Sequence, residues 1–146
     1  MKWNIITVGK PALAWAKTGT EDYAKRLRKM ATVELTTVRE GGSAQNGIRS
    51  LEASKDSYRI VLDERGRQLS SMEFSKWIEK QELNGRKRVS FLIGGADGHS
   101  PEVREAADEL WALSTMTLQH EMALVVLLEQ IYRGYSIMRG TPYHRE

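Results

Sequence analysis

Apolar positions in this chain change their period several times, and each change marks the start of a new element. Trp3, Ile5, Ile6 and Val8 make a short β-type run ended by Gly9-Lys10-Pro11, so the first strand is expected over Lys2 to Gly9. Tyr23, Leu27 and Met30 then fall at helical intervals with lysines and arginines between them. Thr18-Gly19-Thr20-Glu21 has the spacing of a capping box, which puts the start of that helix at Thr18. Val33, Leu35 and Thr37 alternate with polar neighbours as a second strand does. Gly41-Gly42-Ser43 breaks it before a short helix carrying Ile48 and Leu51.

The alternation continues. Tyr58 to Leu62 reads as a third strand, closed by Asp63-Glu64-Arg65-Gly66. Ser70 to Glu73 repeats the capping box ahead of Phe74, Trp77, Ile78 and Gln81, and Asn84-Gly85 stops that helix. Arg88 to Ile93 is a fourth strand. Its consecutive apolar residues Phe91-Leu92-Ile93 suit a strand covered on both faces, at the centre of a mainly parallel sheet. Ser100-Pro101-Glu102 supplies an N-cap, a first-turn proline and a first-turn acid for a helix expected to run to about Glu109, and Leu110 to Leu113 is a short fifth strand. The last helix, from about Glu121 to Met138, is apolar over more of its circumference than one sheet face needs, which points to a partner subunit. Strand and helix alternate over residues 1–146 without repeat or linker. The pattern predicts one α/β domain with a mostly parallel sheet flanked by helices.

Composition narrows the chemistry. With 146 residues, 40% hydrophobic and 28% charged, the chain is sized and balanced for a single globular core. It has no cysteine, so disulfides, thiolate metal sites and cysteine nucleophiles are excluded. The apolar stretch Met122 to Met138 is interrupted by Glu129 and Arg133, and the N-terminus enters a strand directly, so a cytoplasmic protein without a membrane span is expected. His99, His120 and His144 show no metal-ligand spacing, and no metal is expected. Net charge is +3, unevenly spread: residues 1–30 hold seven Lys/Arg against two acids, residues 94–146 four Arg against eight acids. The basic lobe of Lys2, Lys10, Lys17, Lys25, Arg26, Arg28 and Lys29 would suit a nucleic-acid backbone as readily as plain solvent.

Two loops after adjacent strands carry the candidate chemistry. Gly94-Gly95-Ala96-Asp97-Gly98 lies between a buried strand and a helix start, the usual place for a ligand loop, yet it lacks the spacing of a dinucleotide fingerprint and has no phosphate-loop lysine. Leu113-Ser114-Thr115-Met116-Thr117-Leu118 offers backbone groups and hydroxyls to a base edge, or simply forms an ordinary turn. The chain ends in Thr141-Pro142-Tyr143-His144-Arg145-Glu146, groups suited to stacking on a base and pairing with phosphate, or to a plain terminus.

Leu92 to His99, Leu113 to Leu118, Tyr132-Arg133 and the terminal Pro142 to Glu146 together resemble the small knotted SPOUT-class methyltransferases of the RlmH group, over the whole length of the chain. That resemblance implies S-adenosylmethionine as methyl donor, and as target N3 of a pseudouridine in helix 69 of 23S ribosomal RNA, met within the ribosome. It also implies a C-terminal trefoil knot, which ordinary topology rules disfavour, and a homodimer. Cofactor contacts would fall on Leu62, Gly94 and Leu113, Ser114, Thr115, Met116, Thr117 and Leu118. The RNA side would include Arg133, Tyr143, His144 and Arg145, with His144 as candidate base and Arg133 or Arg145 stabilising the anion. Ala96-Asp97, His99 and Gln119 depart from the group's common pattern. Two alternatives remain at this stage: a knotted enzyme for tRNA or a ribose hydroxyl, and a ribosome-binding protein without activity.

Overall fold

The computed structural model describes residues 1–145, so Glu146 of the terminal run lies outside the described residues. Five parallel strands form one sheet in the order β2-β1-β4-β3-β5, with β1 Lys2–Val8, β2 Thr32–Val38, β3 Tyr58–Arg67, β4 Arg88–Leu92 and β5 Glu109–Trp111. The helices are α1 Ala14–Leu27, α2 Ser43–Ala53, α3 Ser71–Leu83, α4 Pro101–Glu105 and α5 His120–Met138. The α/β class with helices on both faces is as expected. So is the central place of β4, whose Val89, Ser90, Phe91 and Leu92 are fully buried.

The two faces carry unequal cores. On one, α1, α3 and α5 cover Trp3, Phe74, Phe91, Trp111 and Tyr135; on the other, α2 and α4 cover Ile6, Val8, Val61, Leu92 and Val103. Trp3 sits at the middle of the larger core. Its ring stacks on Phe91 at 5.9 Å between centroids and meets Tyr135 edge-on, and its Nε1 donates to the Tyr135 hydroxyl at 2.9 Å. That bond satisfies two polar atoms that burial would otherwise leave without water.

The fifth strand is Glu109–Trp111 rather than Leu110 to Leu113, and three further boundaries differ by more, each for an identifiable reason. First, α1 starts at Ala14, and Thr18 and Glu21 form no capping box. The start is supplied by Glu121 at the head of α5, whose Oε1 accepts from the N–H groups of Ala12 and Leu13 at 2.9 and 3.2 Å. Burial pushes the Glu121 carboxyl up, but the backbone bonds from Leu13 and Ala12 outweigh it and hold its pKa below the ordinary value. Second, α4 ends at Glu105 rather than near Glu109, because Asp108 is captured by β3: its N–H donates to the Arg59 carbonyl and its carboxylate accepts from the Arg59 N–H. Third, β3 runs through Asp63-Glu64-Arg65-Gly66 instead of closing there. Leu62 and Arg67 both pair with Trp111 across a bulge. Gly66 permits this, since a Cβ there would stand 2.5 Å from the Leu110 carbonyl carbon.

Part of the apolar circumference of α5 that the sequence assigns to a partner subunit is covered within the chain. Helix α5 lies between α1 and α3, with Gly19 facing Val125 and Gly134 facing Ile78. Met122 remains exposed, and Leu124, Val125, Val126 and Tyr132 are only half-buried. No helix among the described residues is long and apolar enough to cross a membrane.

Glu121→Ala is expected to destabilise the fold by about 1 kcal/mol in urea unfolding, the net worth of its hydrogen bonds from the partly exposed Ala12 and Leu13 N–H groups, whereas Glu121→Gln keeps an acceptor oxygen and loses less.

Candidate functional site

Because every strand is parallel, all the carbonyl ends lie along one edge, and the connections after β3, β4 and β5 converge there. They enclose a cavity of about 710 Å³. Its walls are the β3 tail from Leu62 to Arg65, the glycine loop from Gly94 to His99 and the β5–α5 connection, closed by the first turn of α5. A volume of this order suits a ligand of nucleoside size.

Of the residues assigned to a cofactor, Leu62, Gly94, Leu113, Ser114, Met116, Thr117 and Leu118 border this cavity, and Thr115 does not. Gly94 is required sterically, since a Cβ there would lie 2.9 Å from the Gly98 carbonyl carbon on the other arm of the loop. Gly98 has φ +72°, a left-handed conformation that glycine adopts without strain. In the hydroxyl loop, Ser114 Oγ accepts from the Met116 N–H at 3.0 Å, the local turn bond of an ST motif, and the Thr117 hydroxyl donates to the Glu64 carboxylate. Met116 is 77% exposed, an apolar side chain held at the cavity rim with little to cover it.

Residues to which the sequence analysis gave no site role complete the walls. His99 Nε2 lies 3.0 Å from the Leu92 carbonyl and so carries the proton. Burial pushes its pKa below the ordinary value, keeping the ring neutral at pH 7. Arg104 Nη1 donates to the His99 carbonyl at 2.7 Å and stands 3.9 Å from Asp63, while Arg65 approaches the same carboxylate at 3.8 Å. Gln119 caps α5 by accepting from the N–H groups of Glu121 and Met122. A signal for these was available: Asp63 lies in the tail of β3 and Arg104 in α4, directly after the glycine loop. Pairing them required the strand order, which periodicity does not contain.

The RNA-side residues gather elsewhere. The tail folds back on α5 and α1. Tyr143 donates to Glu129 Oε2 at 2.7 Å, and its hydroxyl lies 2.9 Å from that of Tyr23. Arg133 bonds Glu129 at 2.6 Å, lies over the Tyr143 ring at 4.8 Å and places Nη1 3.1 Å from His144 Nδ1. Arginine only donates, so His144 Nδ1 is the acceptor in that contact. Arg145 is exposed. Burial pushes the Tyr143 phenol up, reinforced by Tyr23 and Glu129. At Glu129, burial pushes the carboxyl up, but Arg133 and then Tyr143 outweigh it and hold the pKa low. Arg133 stands ten residues beyond Ala123, the last cavity residue on α5, or about 15 Å along the helix axis. Cavity and tail cluster are therefore separate places on one chain. Among the described residues, no group of three or more His, Asp or Glu side chains is placed to hold a metal ion.

The depressed pKa of Glu129 gives docking of the tail a pH dependence. Stability from this carboxylate is present above its unfolded value and lost as pH falls through the lowered folded value. Amide hydrogen exchange at residues 143–145 is expected to accelerate over that acid range, and Glu129→Gln to remove most of the dependence.

The family model described as "Predicted SPOUT methyltransferase" matches residues 1–144. The chain is 44% identical over 145 residues to ribosomal RNA large subunit methyltransferase H of Thermus thermophilus, covering 99% of both. It is 41% identical over 145 residues to the protein of that name from Deinococcus deserti, covering 99% of this chain and 100% of the relative. Among solved structures, a probable methylase family protein from Haemophilus influenzae superposes with a TM-score of 0.59 at 12% identity, over 99% of this chain and 70% of that one. A Legionella pneumophila protein solved with the bound cofactor SAM gives 0.52 at 12%, over 92% and 66%. At those identities the superpositions speak for the fold alone.

Proposed function

The chain belongs to the SPOUT methyltransferases, in the group of ribosomal RNA large subunit methyltransferase H, and we propose that it methylates N3 of pseudouridine 1915 in helix 69 of 23S ribosomal RNA. One observation carries the reading: the glycine loop and the hydroxyl loop, the segments that mark this group in the sequence, form facing walls of one cavity at the carbonyl edge of the sheet. S-adenosylmethionine bound there supplies a methyl group on a sulfonium, which leaves as a thioether once the methyl carbon is attacked.

Leu62, Gly94 and the segment from Leu113 to Leu118, of which all but Thr115 border the cavity, would hold the donor, and fixing its orientation toward the target nitrogen would supply much of the rate. Before attack, N3 must lose its proton. The residues assigned to this are His144 as acceptor and Arg133 as the cation that stabilises the anion. His144 Nδ1 engages Arg133 at 3.1 Å, so the pair exchanges its mutual contact for the target base when RNA arrives. Arg145 and Tyr143 supply phosphate pairing and stacking.

The separation of about 15 Å between tail cluster and cavity supports a homodimer in which the tail of one subunit serves the cavity of the other. The same reading carries the trefoil knot. The Ala112 N–H donates to the Arg67 carbonyl at 2.9 Å, and Thr117 holds Glu64, so the β3 tail lies across the segment leading from β5 into α5. The setting is the cytoplasm, on the assembled ribosome.

Tritium transfer from labelled S-adenosylmethionine to ribosomes and to naked ribosomal RNA, both from cells lacking the protein, tests the reading; label mapped to a pseudouridine of the large-subunit RNA is expected. Label confined to tRNA or to a ribose would move the target. No transfer together with no cofactor binding would leave a binding protein. Gly94→Trp is expected to abolish cofactor binding by calorimetry with the circular dichroism spectrum retained. Deletion of residues 143–146 should spare binding and reduce methyl transfer at least about a hundredfold.

A further inference from the structure

The edge of the sheet opposite the cavity carries a concentration of cations that the proposed reaction does not use. Lys2 opens β1 and is in register with Arg88, which opens β4, while the Lys2 N–H bonds the Lys87 carbonyl at 2.9 Å. Lys29 follows the end of α1, and Arg139 follows α5, with Nη2 donating to the Met30 carbonyl at 3.2 Å beside it. Lys29, Lys87, Arg88 and Arg139 are exposed and Lys2 is half-buried. Arg28 and Arg86 flank the group, the first bonded to the Val33 carbonyl and the second to Gln81 and over the Tyr58 ring at 4.2 Å.

The acids at this edge are mostly engaged: Glu34 by Lys2 at 2.7 Å, Glu82 by Tyr135, Asp108 by the Arg59 N–H, and Glu109, which opens β5, by Tyr58, Trp111 and Arg67, while Asp56 lies in the turn before β3. Cations after helix C-termini offset the helix dipoles, which accounts for Lys29 and Arg139. Lys2, Lys87 and Arg88 precede or begin strands, where no helix end asks for them. The cavity edge has the opposite character. Asp63, Glu64 and Asp97 line it, and its two arginines, Arg65 and Arg104, both lie within 4 Å of Asp63. A polyanionic substrate gains little attraction at the cavity and much at the far edge.

We propose that the strand-start edge formed by Lys2, Lys29, Lys87, Arg88 and Arg139 is a second RNA-contact surface, binding the phosphate backbone of a helical segment remote from the target base. The inference rests on the reading of the substrate as RNA. A seven-residue strand separates this surface from the cavity, about 20 Å at 3.3 Å per residue. Contacts here anchor the RNA without reading sequence, and the target base is selected at the other end.

The test compares Lys29→Gln/Lys87→Gln/Arg88→Gln with a control of equal charge change away from this edge, Lys17→Gln/Arg39→Gln/Lys76→Gln, both in the full-length chain. Binding is measured to large ribosomal subunits lacking the modification and to a 20-base-pair RNA duplex of arbitrary sequence, between 50 and 200 mM salt. The edge variant is expected to bind both probes about tenfold or more weaker than the control. The slope of log affinity against log salt should fall by about 2 to 3, one phosphate per lysine or arginine removed. S-adenosylmethionine affinity, equal to wild type, certifies the fold. A loss no larger than the control's overturns the proposal. So does a loss on subunits with none on the duplex, which would make the partner an acidic protein. If wild type transfers methyl to ribosomal RNA and the edge variant binds normally, this surface alone is refuted. If wild type transfers none but binding still depends on the edge, the surface stands and the reaction assignment falls.

Discussion

The structure depends on holding α5 against the sheet, and the contact that does so most specifically is the buried bond from Trp3 Nε1 to the Tyr135 hydroxyl. It joins the first strand to the last helix across 132 residues, in a core where Trp3, Phe74, Phe91 and Tyr135 meet at ring separations near 6 Å. A buried hydrogen bond of this kind selects one register of the helix over its neighbours, since a slip of one residue leaves both partners unpaired at about 1–3 kcal/mol each. Fixing α5 at Tyr135 also fixes its first turn. From there Glu121 sets the start of α1, Gln119 sets the start of α5 itself, and the segment from Leu113 to Leu118 is held between β5 and that turn. The cavity wall is thus a consequence of core packing three to four helical turns away.

The parallel sheet supplies the other half of the arrangement. Parallel pairing puts every strand start at one edge and every strand end at the other, so residues adjacent to starts and residues adjacent to ends are sorted into two populations. Here Lys2, Lys87 and Arg88 gather at the starts of β1 and β4, while Asp63, Glu64 and Asp97 line the cavity at the other edge; Glu109 at the start of β5, and Lys10 and Arg39 after β1 and β2, keep the contrast to those two places rather than to the whole edges. The tail then adds Arg133, Tyr143 and His144 on the flank of α1 and α5, at neither edge.

How much of this was legible in the chain follows from the range of the interactions. The strands, the α3 capping box at Ser70 and Glu73, the buried centre at Phe91-Leu92 and the glycine loop depend on neighbours a few residues away, and the sequence displays them. The hydroxyl loop shows in the sequence as three hydroxyl residues between apolar ones after a strand, the resemblance assigns it to a cofactor, and all its residues but Thr115 border the cavity. What was misplaced depends on distant partners. Thr18 to Glu21 has capping-box spacing, yet α1 starts earlier because Glu121 holds the N–H groups of Ala12 and Leu13, just before the helix, from 108 residues away. Gly66 looks like a turn residue until the strand order brings Leu110 beneath it. Asp63, His99 and Arg104 become a wall for the same reason.

The relation between cavity and tail is where local geometry bears most directly on mechanism. Tyr143 is held by Glu129 and Tyr23, Arg133 is held by Glu129, and His144 faces Arg133, so three of the four groups proposed to meet RNA are engaged within the chain. Pairing of that kind costs little to exchange when the incoming ligand offers equivalent partners, and phosphate oxygens offer Arg133 what Glu129 offers it now. Glu129 is the anion that gathers this cluster, with its own charge maintained by the cation it holds.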